Sequence, residues 1–387
     1  MKLVIIPNEA FSGYIPQYGV QHMEQYFNPN SVADEVHIVS PADNYKYKTT
    51  RFGTLVIHPI RNFMHLEIPM IYLPGLLKTI EVIKKYDIDI VRAYNCFQLG
   101  LVGALAAKIT KRPFVLSLHG DYDNMLKQKG KFAYYKWHSI EKFNIKSATK
   151  VIAISDYLVD YAKKHGAKDV AKIPNPIPVN SYIKPDMEKV KRIKEKYPIE
   201  GRIVMLFVGR YRAPVKNFER LLLAYSQIPR ELKEKSVLFV LGSGTNKEIY
   251  FKNLVKKLGL QENIIFVGFI PHDEVMSFYH VANFFVLPSI SEGLGNALIE
   301  AMASGLPALT STHPVTSSLV DSTNGVVVDP YSVEEIRDGL EKLMRMSAEE
   351  RKMLGKKSIK KAATFDENVI YKQLASLYEE IGKRWNI

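Results

Sequence analysis

Two carboxylates stand out in the second half of the chain. Glu292 and Glu300 lie in "SEGLGNALIEAMASGLP" (291–307), which carries no other charge. The apolar run "FFVLPS" (284–289) predicts a buried strand before them, and "ALIEAMA" (297–303) predicts a helix. A carboxylate can accept from both hydroxyls of a vicinal diol such as a ribose, and glycines let backbone N–H groups approach a ligand. The alternative is structural, with Glu300 as a buried ion-pair partner and Glu292 as a surface charge.

Arg210 and Lys216 form a second candidate group. They lie in "FVGRYRAPVKNF" (207–218), where an apolar strand ends at Gly209 and a helix is predicted to begin near Asn217. Free N–H groups at a helix N-terminus favour anions. Arginine can fork onto two phosphate oxygens, whereas lysine acts as a point charge. We therefore expect the pair to bind phosphate, the alternative being two solvated surface cations.

Both groups need a sheet to position them, and the pattern of the chain predicts one. Short apolar runs alternate with amphipathic segments throughout, which is typical of β-α-β units and a parallel sheet. The runs predicted as strands are 2–7, 35–40, 54–59, 89–94, 114–119, 150–155, 203–209, 237–242, 264–268, 284–289, 307–311 and 325–329. Six strands in each half predict two doubly wound α/β domains. Since ligands bind at the carboxyl ends of such strands, we expect an interdomain cleft lined by the motifs.

The domain boundary is predicted at a proline-rich segment. "IPNPIPVN" (173–180) carries three prolines in five positions, which stiffens the chain and blocks helix. The predicted domains are 1–178 and 179–365. The helical pattern of 366–387 predicts a terminal helix that packs back onto the first domain.

Composition narrows the classes of partner. The net charge of +13 favours phosphorylated small molecules, nucleic acid or an anionic membrane surface. Cys96 is the only cysteine, so no internal disulfide can form and a reducing compartment is expected. No apolar run approaches the roughly 20 residues of a membrane span. We expect a cytoplasmic protein, with peripheral attachment to the inner face of the cell membrane left open.

Four elements in the second half resemble one known family. "EGLGNALIEAMASGLP" (292–307) resembles the Glu-x7-Glu signature of retaining glycosyltransferases of the GT-B fold. "VGRYRAPVKN" (208–217) is similar to the Gly-Arg-…-Lys-Asn element of glycosyltransferase family 4, also called glycosyl transferases group 1. "FVLGSG" (239–244) and "IIFVGFIPHDEV" (264–275) match its next two strand-turn units. The chain is identified as a member of that family, which implies two facing Rossmann-like domains with a cleft between them. The resemblance implies that domain 1–178 would bind the acceptor and domain 179–365 would bind the nucleotide sugar.

The resemblance implies roles for these residues. Arg210 and Lys216 would contact the diphosphate of a sugar nucleotide and stabilise its departure. Glu300 would bind the ribose hydroxyls, and Glu292 would approach the donor sugar. Four successive residues would contact sugar and phosphate through backbone groups, namely Gly293, Leu294, Gly295 and Asn296.

The first half also carries a candidate catalytic residue. "SLHGDYD" (117–123) places His119 at the end of a predicted strand. An isolated histidine is more often structural, but the resemblance implies a catalytic residue beside the donor sugar and phosphate. Asp121 is interpreted as a turn or helix-capping residue.

A loop near the N-terminus departs from the family pattern. "PQYGVQHME" (16–24) resembles the family's glycine-rich loop, in which a Gly-Gly pair abuts the diphosphate. Here the pair is Tyr18-Gly19, so a bulky side chain replaces one glycine. Gly19 can still let the backbone approach phosphate.

Residues 127–150 combine seven lysines and one acid with several aromatic residues. Such a mixture suits an anionic membrane interface, and an acceptor on a lipid carrier would explain it. The alternative is an ordinary helix with Phe132, Tyr135, Ile140 and Phe143 facing the core.

The implied reaction is retaining transfer of a hexose from a nucleotide-diphosphate sugar to an acceptor hydroxyl, in polysaccharide, glycolipid or glycoconjugate synthesis. A UDP-sugar is the favoured donor, the acceptor is a carbohydrate or a lipid-linked molecule, and no metal or other cofactor is expected. A sugar-nucleotide 2-epimerase of the same fold is the alternative, although the sequence shows no cluster of carboxylates and histidine for elimination. A nucleic-acid partner is not expected, because the basic residues lack the pattern of a dedicated binder.

Overall fold

The computed structural model describes residues 1–8, 11, 20–40, 49–60, 69–94, 96–121, 126, 131–243 and 247–387. Contacts between residues divide the chain into two compact units. The first unit comprises Met1–Pro174 with Asn368–Ile387, and the second comprises Asn175–Glu367. The division at Pro174 falls within the proline-rich segment 173–180.

The first unit is built on a mostly parallel sheet. Its strands are β1 (Lys2–Ile6), β2 (Glu35–Ser40), β3 (Thr50–Phe52), β4 (Leu55–Pro59), β5 (Ile90–Ala93), β6 (Phe114–Leu118), β7 (Lys150–Ala153) and β8 (Val170–Lys172). They lie in the order β3-β4-β2-β1-β5-β6-β7-β8, and only the β3–β4 pair is antiparallel. The central strands are mostly apolar and almost completely buried, as expected of a parallel sheet covered on both faces.

Helices connect these strands. Within the described residues of the first unit they are α1 (Val20–Phe27), α2 (Pro69–Tyr86), α3 (Gln98–Thr110), α4 (Lys131–Ser147), α5 (Asp156–Lys164) and, from the end of the chain, α16 (Glu367–Trp385). Helix α5 begins at a side-chain cap, because Ser155 accepts a hydrogen bond from the Leu158 N–H.

The first sheet contains two strands that the apolar pattern does not predict, so the expectation of six strands in this half is wrong. Strands β3 and β8 are three residues long and lie at the two edges of the sheet. Their sequences, "TRF" and "VAK", are partly exposed and contain no apolar run. Their positions are set by pairing to β4 and β7, which a local pattern does not reveal.

The C-terminal helix α16 belongs to the core of the first unit. Its apolar face, which includes Ile370, Leu374 and Ile381, is buried in the same cluster as residues of β1 and β2. Tyr378 accepts a hydrogen bond from buried Arg92 of β5 over 2.6 Å. These contacts join the last residues of the chain to its first strands.

The second unit contains a six-stranded parallel sheet within the residues described. Its strands are β9 (Ile203–Val208), β10 (Ser236–Leu241), β11 (Ile264–Gly268), β12 (Phe284–Leu287), β13 (Ala308–Ser311) and β14 (Gly325–Val328). The spatial order is β11-β10-β9-β12-β13-β14, so the order of winding reverses between β9 and β12. This is the doubly wound arrangement in which ligands bind where the order reverses. The predicted α/β fold of two Rossmann-like units is confirmed.

The helices of the second unit surround this sheet. They are α6 (Val179–Ile183), α7 (Met187–Lys196), α8 (Phe218–Ser226), α9 (Arg230–Glu234), α10 (Glu248–Lys257), α11 (His272–Val281), α12 (Asn296–Ala303), α13 (Pro314–Leu319), α14 (Val333–Arg345) and α15 (Ala348–Ala362). In the described part of the chain, no helix combines the length and apolar character that crossing a membrane requires.

Candidate active site

The two sequence motifs of the second unit meet where the strand order reverses. Strand β9 leads into the segment of Arg210 and Lys216, and the neighbouring β12 leads into the turn of Glu292. A backbone hydrogen bond of 2.7 Å from Ile290 to Val215 joins the two segments directly. The fold therefore places the segment of the predicted phosphate-binding cations next to the turn of Glu292, one of the two predicted sugar-binding carboxylates.

A short turn presents the two cations. Residues Pro214–Lys216 form a 3-10 helix. Directly before it, the Ala213 N–H donates a hydrogen bond to the Arg210 carbonyl over 2.9 Å. The Arg210 side chain is exposed at the end of β9, whereas the Lys216 side chain is only 20% exposed. The turn thus holds one solvent-facing guanidinium and one half-buried ammonium group at the same sheet edge.

Lys216 and Glu292 form an ion pair. Lys216 Nζ lies 2.7 Å from Glu292 Oε1, and the Glu292 side chain is only 8% exposed. A lysine ammonium has three donors and a carboxylate has two acceptor oxygens. Each group can therefore keep this contact and still bind a further molecule.

Asn217 stabilises the turn through hydrogen bonds made by its buried side chain, a role that the sequence pattern does not predict. Its backbone is left-handed, with φ of 58°, and its side chain is buried. The Nδ2 group donates to the carbonyls of Pro288, over 3.0 Å, and Pro330, over 2.5 Å. Its Oδ1 accepts from Arg220 over 3.0 Å. The sequence indicates only an asparagine at a helix start, because the carbonyl partners lie more than 70 positions away.

The turn after β12 requires glycine at one position. Gly295 precedes α12 with φ of 81°, a conformation that glycine adopts without strain. Leu294 is buried, and its side chain packs in the interior. Asn296 is exposed, and its Oδ1 accepts from Asn175 over 3.2 Å. Gly293 lies in the bend between Glu292 and these residues.

Glu300 is held by two side chains from helix α11. Its Oε2 accepts a hydrogen bond from the Tyr279 hydroxyl over 2.9 Å, and its Oε1 lies 3.5 Å from His272 Nε2. The carboxylate is 12% exposed. Burial, together with the neighbouring Glu300 charge, raises the pKa of Tyr279 well above its ordinary value. The hydrogen bond that His272 donates to Glu300 raises the pKa of His272, against the opposing effect of burial.

The backbones at the ends of β9, β10 and β11 pack closely against one another. Gly209 donates to the Leu241 carbonyl over 2.9 Å, and Gly242 donates to the Gly268 carbonyl over 2.8 Å. A Cβ atom on Gly242 would lie only 2.2 Å from the Gly209 oxygen. The ends of β10 and β11 therefore form one continuous edge with the end of β9.

His119 lies in the first unit, directly after β6. Its ring stacks on Tyr94 with 5.5 Å between centroids and 17° between the ring planes. The Arg92 guanidinium lies 4.3 Å from the centre of the same Tyr94 ring. Asp121 accepts a short hydrogen bond from Tyr157, which joins the segment after β6 to helix α5.

Two predicted features lie wholly or partly outside the described residues. Gly19 and its neighbour Tyr18 are not described, and neither are residues 127–130 of the basic segment. Among the described residues, no group of three or more His, Cys, Asp or Glu side chains is placed to hold a metal ion. The predicted absence of a metal from the reaction stays a prediction.

Comparison with known families assigns both halves of the chain. Residues 33–181 match the family described as Glycosyltransferase Family 4, and residues 189–361 match the family described as Glycosyl transferases group 1. The chain belongs to the family-4 type of glycosyltransferases with the GT-B fold. The family predicted from the Glu-x7-Glu signature and its flanking elements is confirmed.

Individual relatives agree with this assignment. An uncharacterized glycosyltransferase of Methanocaldococcus jannaschii, MJ1069, is 27% identical over 99% of this chain and 98% of its own length. The alpha-monoglucosyldiacylglycerol synthase of Streptococcus pneumoniae is 27% identical over 64% of this chain, and the match spans 57% of that protein. The structure of Anabaena HepE in complex with UDP-glucose aligns with a TM-score of 0.75 and 18% identity, over 98% of this chain and 99% of that one.

Proposed function

We propose that this glycosyltransferase moves a hexose from a nucleoside diphosphate sugar to an acceptor hydroxyl, with retention at the anomeric carbon. The observation that carries the proposal is the junction of β9 and β12, where the Lys216–Glu292 pair lies 2.7 Å apart beside exposed Arg210. Cations, a carboxylate and a helix N-terminus at a reversal of strand order suit a ligand with a diphosphate at its centre.

In this proposal, Arg210 and Lys216 neutralise the charge that develops on the leaving diphosphate. Such stabilisation by fixed charges is often the largest single contribution to catalysis. Lys216 is half-buried, so its charge acts at lower effective dielectric than that of a fully solvated lysine. Arg210 is exposed and can fork onto two phosphate oxygens.

The carboxylates take the two sugars of the donor. Glu300 accepts from the ribose hydroxyls, while Glu292 accepts from hydroxyls of the transferred hexose and keeps Lys216 oriented. Backbone N–H groups of Gly293, Leu294, Gly295 and Asn296, at the start of helix α12, approach the sugar and phosphate. His119 remains the predicted catalytic residue of the first unit.

We propose a UDP-hexose as the donor, a choice supported by the similarity of the fold to Anabaena HepE, which was solved with UDP-glucose. Thermal unfolding with UDP-, GDP- and ADP-sugars tests this, because a ligand of the native state raises stability by mass action. UDP-hexoses should raise the melting temperature most. If no nucleotide sugar raises the melting temperature, the proposed function is contradicted.

Product analysis tests the reaction itself. Transfer with retention gives a product whose new anomeric bond has the configuration of the donor, which nuclear magnetic resonance resolves. Inverted product would contradict the mechanism. A donor epimerised without any acceptor would indicate the 2-epimerase, for which no contact in the described residues provides support.

We further propose that helix α4 contacts an anionic membrane that carries a lipid-linked acceptor. Among the α4 residues whose side chains are described, the exposed ones form one side without an acidic residue, namely Lys131, Tyr135, Lys136, Ser139, Lys142, Phe143, Lys146 and Ser147. Glu141, its single acid, is fully buried. Tyr135 is 66% exposed and Phe143 is 38% exposed, so both can enter the headgroup region.

Vesicle sedimentation tests this contact. The wild-type protein should bind vesicles with anionic lipid more strongly than neutral vesicles, and Lys136→Glu with Lys142→Glu should abolish the difference. The matched control is Lys191→Glu with Lys194→Glu on helix α7, where both lysines are also exposed. Equal binding by wild type and the α4 variant would contradict the contact.

A further inference from the structure

The Glu300 carboxylate lies between two donors from one neighbouring helix. Tyr279 reaches Oε2 over 2.9 Å, and His272 Nε2 lies 3.5 Å from Oε1. Both donors belong to α11, one at its first residue and one two turns later, whereas Glu300 belongs to α12. The two contacts engage different oxygens and thus fix the plane of the carboxylate.

Tyr279 is itself rigidly placed. Its ring is fully buried and lies at centroid distances of 5.9 Å from both Tyr182 and Phe285. The hydroxyl also lies 3.2 Å from the Ala297 carbonyl. Because burial raises the pKa of this phenol, it keeps its proton and remains a donor to Glu300 across the working pH range.

His272, the second partner of Glu300, is less buried than Tyr279. Its side chain is 37% exposed, and Nε2 also lies 3.3 Å from the Tyr182 hydroxyl. The neighbouring carboxylates are Glu300 and Asp273, and Asp273 pairs with Lys189 over 2.7 Å. An imidazole N–H directed at Glu300 Oε1 over 3.5 Å helps to hold that carboxylate in its orientation.

Two acceptor positions of the Glu300 carboxylate are therefore occupied, and two remain. A carboxylate offers about four lone-pair sites, so a held carboxylate can still accept from a vicinal diol. We infer that Tyr279 and His272 are positioning residues that orient Glu300 toward the ribose hydroxyls of the nucleotide. This inference rests on the proposed function, in which Glu300 binds the ribose.

The experiment compares two probes that differ only at the ribose. Binding of UDP and of 2′,3′-dideoxy-UDP is measured by calorimetry for the wild-type protein, Glu300→Gln, Tyr279→Phe and His272→Gln. The wild-type protein should bind UDP about tenfold or more tightly than 2′,3′-dideoxy-UDP, because losing a hydrogen bond to a charged group weakens binding by about that factor. Tyr279→Phe and His272→Gln should lose most of this preference through weaker UDP binding, with dideoxy-UDP affinity unchanged within about twofold.

A matched control separates orientation from loss of packing. Tyr225 is another fully buried tyrosine of the second unit, and its hydroxyl lies 2.8 Å from Ser236 Oγ at the amino end of β10. Tyr225→Phe removes a similar hydroxyl without contact to Glu300 and should retain the full preference for UDP. If Tyr279→Phe does not fold, His272→Gln still tests the preference for UDP, because His272 is partly exposed.

The outcomes distinguish the inference from the function on which it rests. If the wild-type protein shows no preference for UDP, or Glu300→Gln keeps it, Glu300 does not bind the ribose and the proposed role of that residue fails. If Glu300→Gln loses the preference while Tyr279→Phe and His272→Gln keep it, the inference alone is overturned. An equal loss of affinity for both probes would show a purely structural role and would also overturn it.

Discussion

Lys216 and Glu292 neutralise each other at the junction of two strands, with 2.7 Å between Nζ and Oε1. One residue follows β9 and the other follows β12, so the pair exists only because these strands are neighbours. The pair keeps both side chains extended toward the same edge before any donor binds. In the proposed function, a diphosphate would share Lys216 with this carboxylate of the protein.

Glu292→Gln should therefore separate nucleotide binding from sugar transfer. The amide keeps the size of the side chain but removes its charge, which leaves the whole Lys216 charge to the diphosphate. We expect UDP affinity to stay equal or to rise, while turnover of the UDP-hexose falls by about 10- to 100-fold. Calorimetry with UDP and steady-state kinetics provide the two readings. Weaker UDP binding with normal turnover would contradict the assigned role.

Asn217 should prove as important to the site as the residues that touch the donor. Asn217→Gly keeps access to φ of 58° but removes the hydrogen bonds to the Pro288 and Pro330 carbonyls. The loss should cost about 1–3 kcal/mol of unfolding free energy, because buried carbonyls lose a donor.

Asn217→Ala provides the comparison, since it loses the same bonds and also strains the left-handed backbone, by about 1–2 kcal/mol more. Denaturant unfolding measures the unfolding free energies of both variants, and UDP titration measures their affinity for the nucleotide. Equal stability of the alanine and glycine variants would show that the backbone conformation is unimportant.

His119→Ala should lower turnover without a matching loss of nucleotide binding. A residue that takes part in the chemical step contributes about 10²- to 10⁴-fold to the rate. The His119 ring stacks on Tyr94 of the first unit, whereas Arg210, Lys216 and Glu300, which we propose bind the nucleotide, belong to the second unit. We expect kcat to fall by at least the lower figure and UDP affinity to change little. The folded state is checked by thermal unfolding. Near-normal kcat in a folded variant would remove His119 from the catalytic residues.

The first unit should lose stability on acidification through His58. This residue is buried in β4, with Nε2 2.9 Å from Nδ1 of His37, and burial lowers its pKa to about 3. Because the unfolded chain binds the proton at about pH 6.5, the unfolded state holds more protons between pH 6.5 and about 3. Stability is therefore full above pH 6.5 and falls as the pH drops through that range.

The expected slope for this one group is up to about 1.4 kcal/mol per pH unit. His58→Gln removes the titrating group and retains a side-chain amide for His37. Urea unfolding between pH 7 and 5 should give a shallower pH dependence for this variant than for wild type. Parallel curves would show that His58 is not held neutral in the folded protein.

The sheet of the second unit and the positions of its candidate site motifs could be predicted because each is local in sequence. Strand β12 and helix α12 flank a glycine turn within twenty residues. The apolar runs predict all six strands of this unit to within two residues at each end. Glu292 and Glu300 were recognised for the same reason, since a short stretch contains them both.

The partners of these residues could not be predicted, because they come from distant parts of the chain. Tyr279 and His272 lie 21 and 28 positions before Glu300 on another helix, where their spacing reads as an ordinary amphipathic pattern. Arg92 and Tyr378 lie 286 positions apart. Such contacts follow from how helices pack on the sheet, and a single sequence does not encode that in a local pattern.

The most direct test of the central claim is a UDP titration of Lys216→Ala, with Lys361→Ala as its control. Lys361 also forms a 2.7 Å ion pair in the second unit, with Asp321, but at the amino end of β14. If the β9–β12 junction binds the diphosphate, Lys216→Ala should bind UDP about 10- to 100-fold more weakly than wild type, and Lys361→Ala should bind normally. Wild-type affinity in a folded Lys216→Ala protein would contradict the claim.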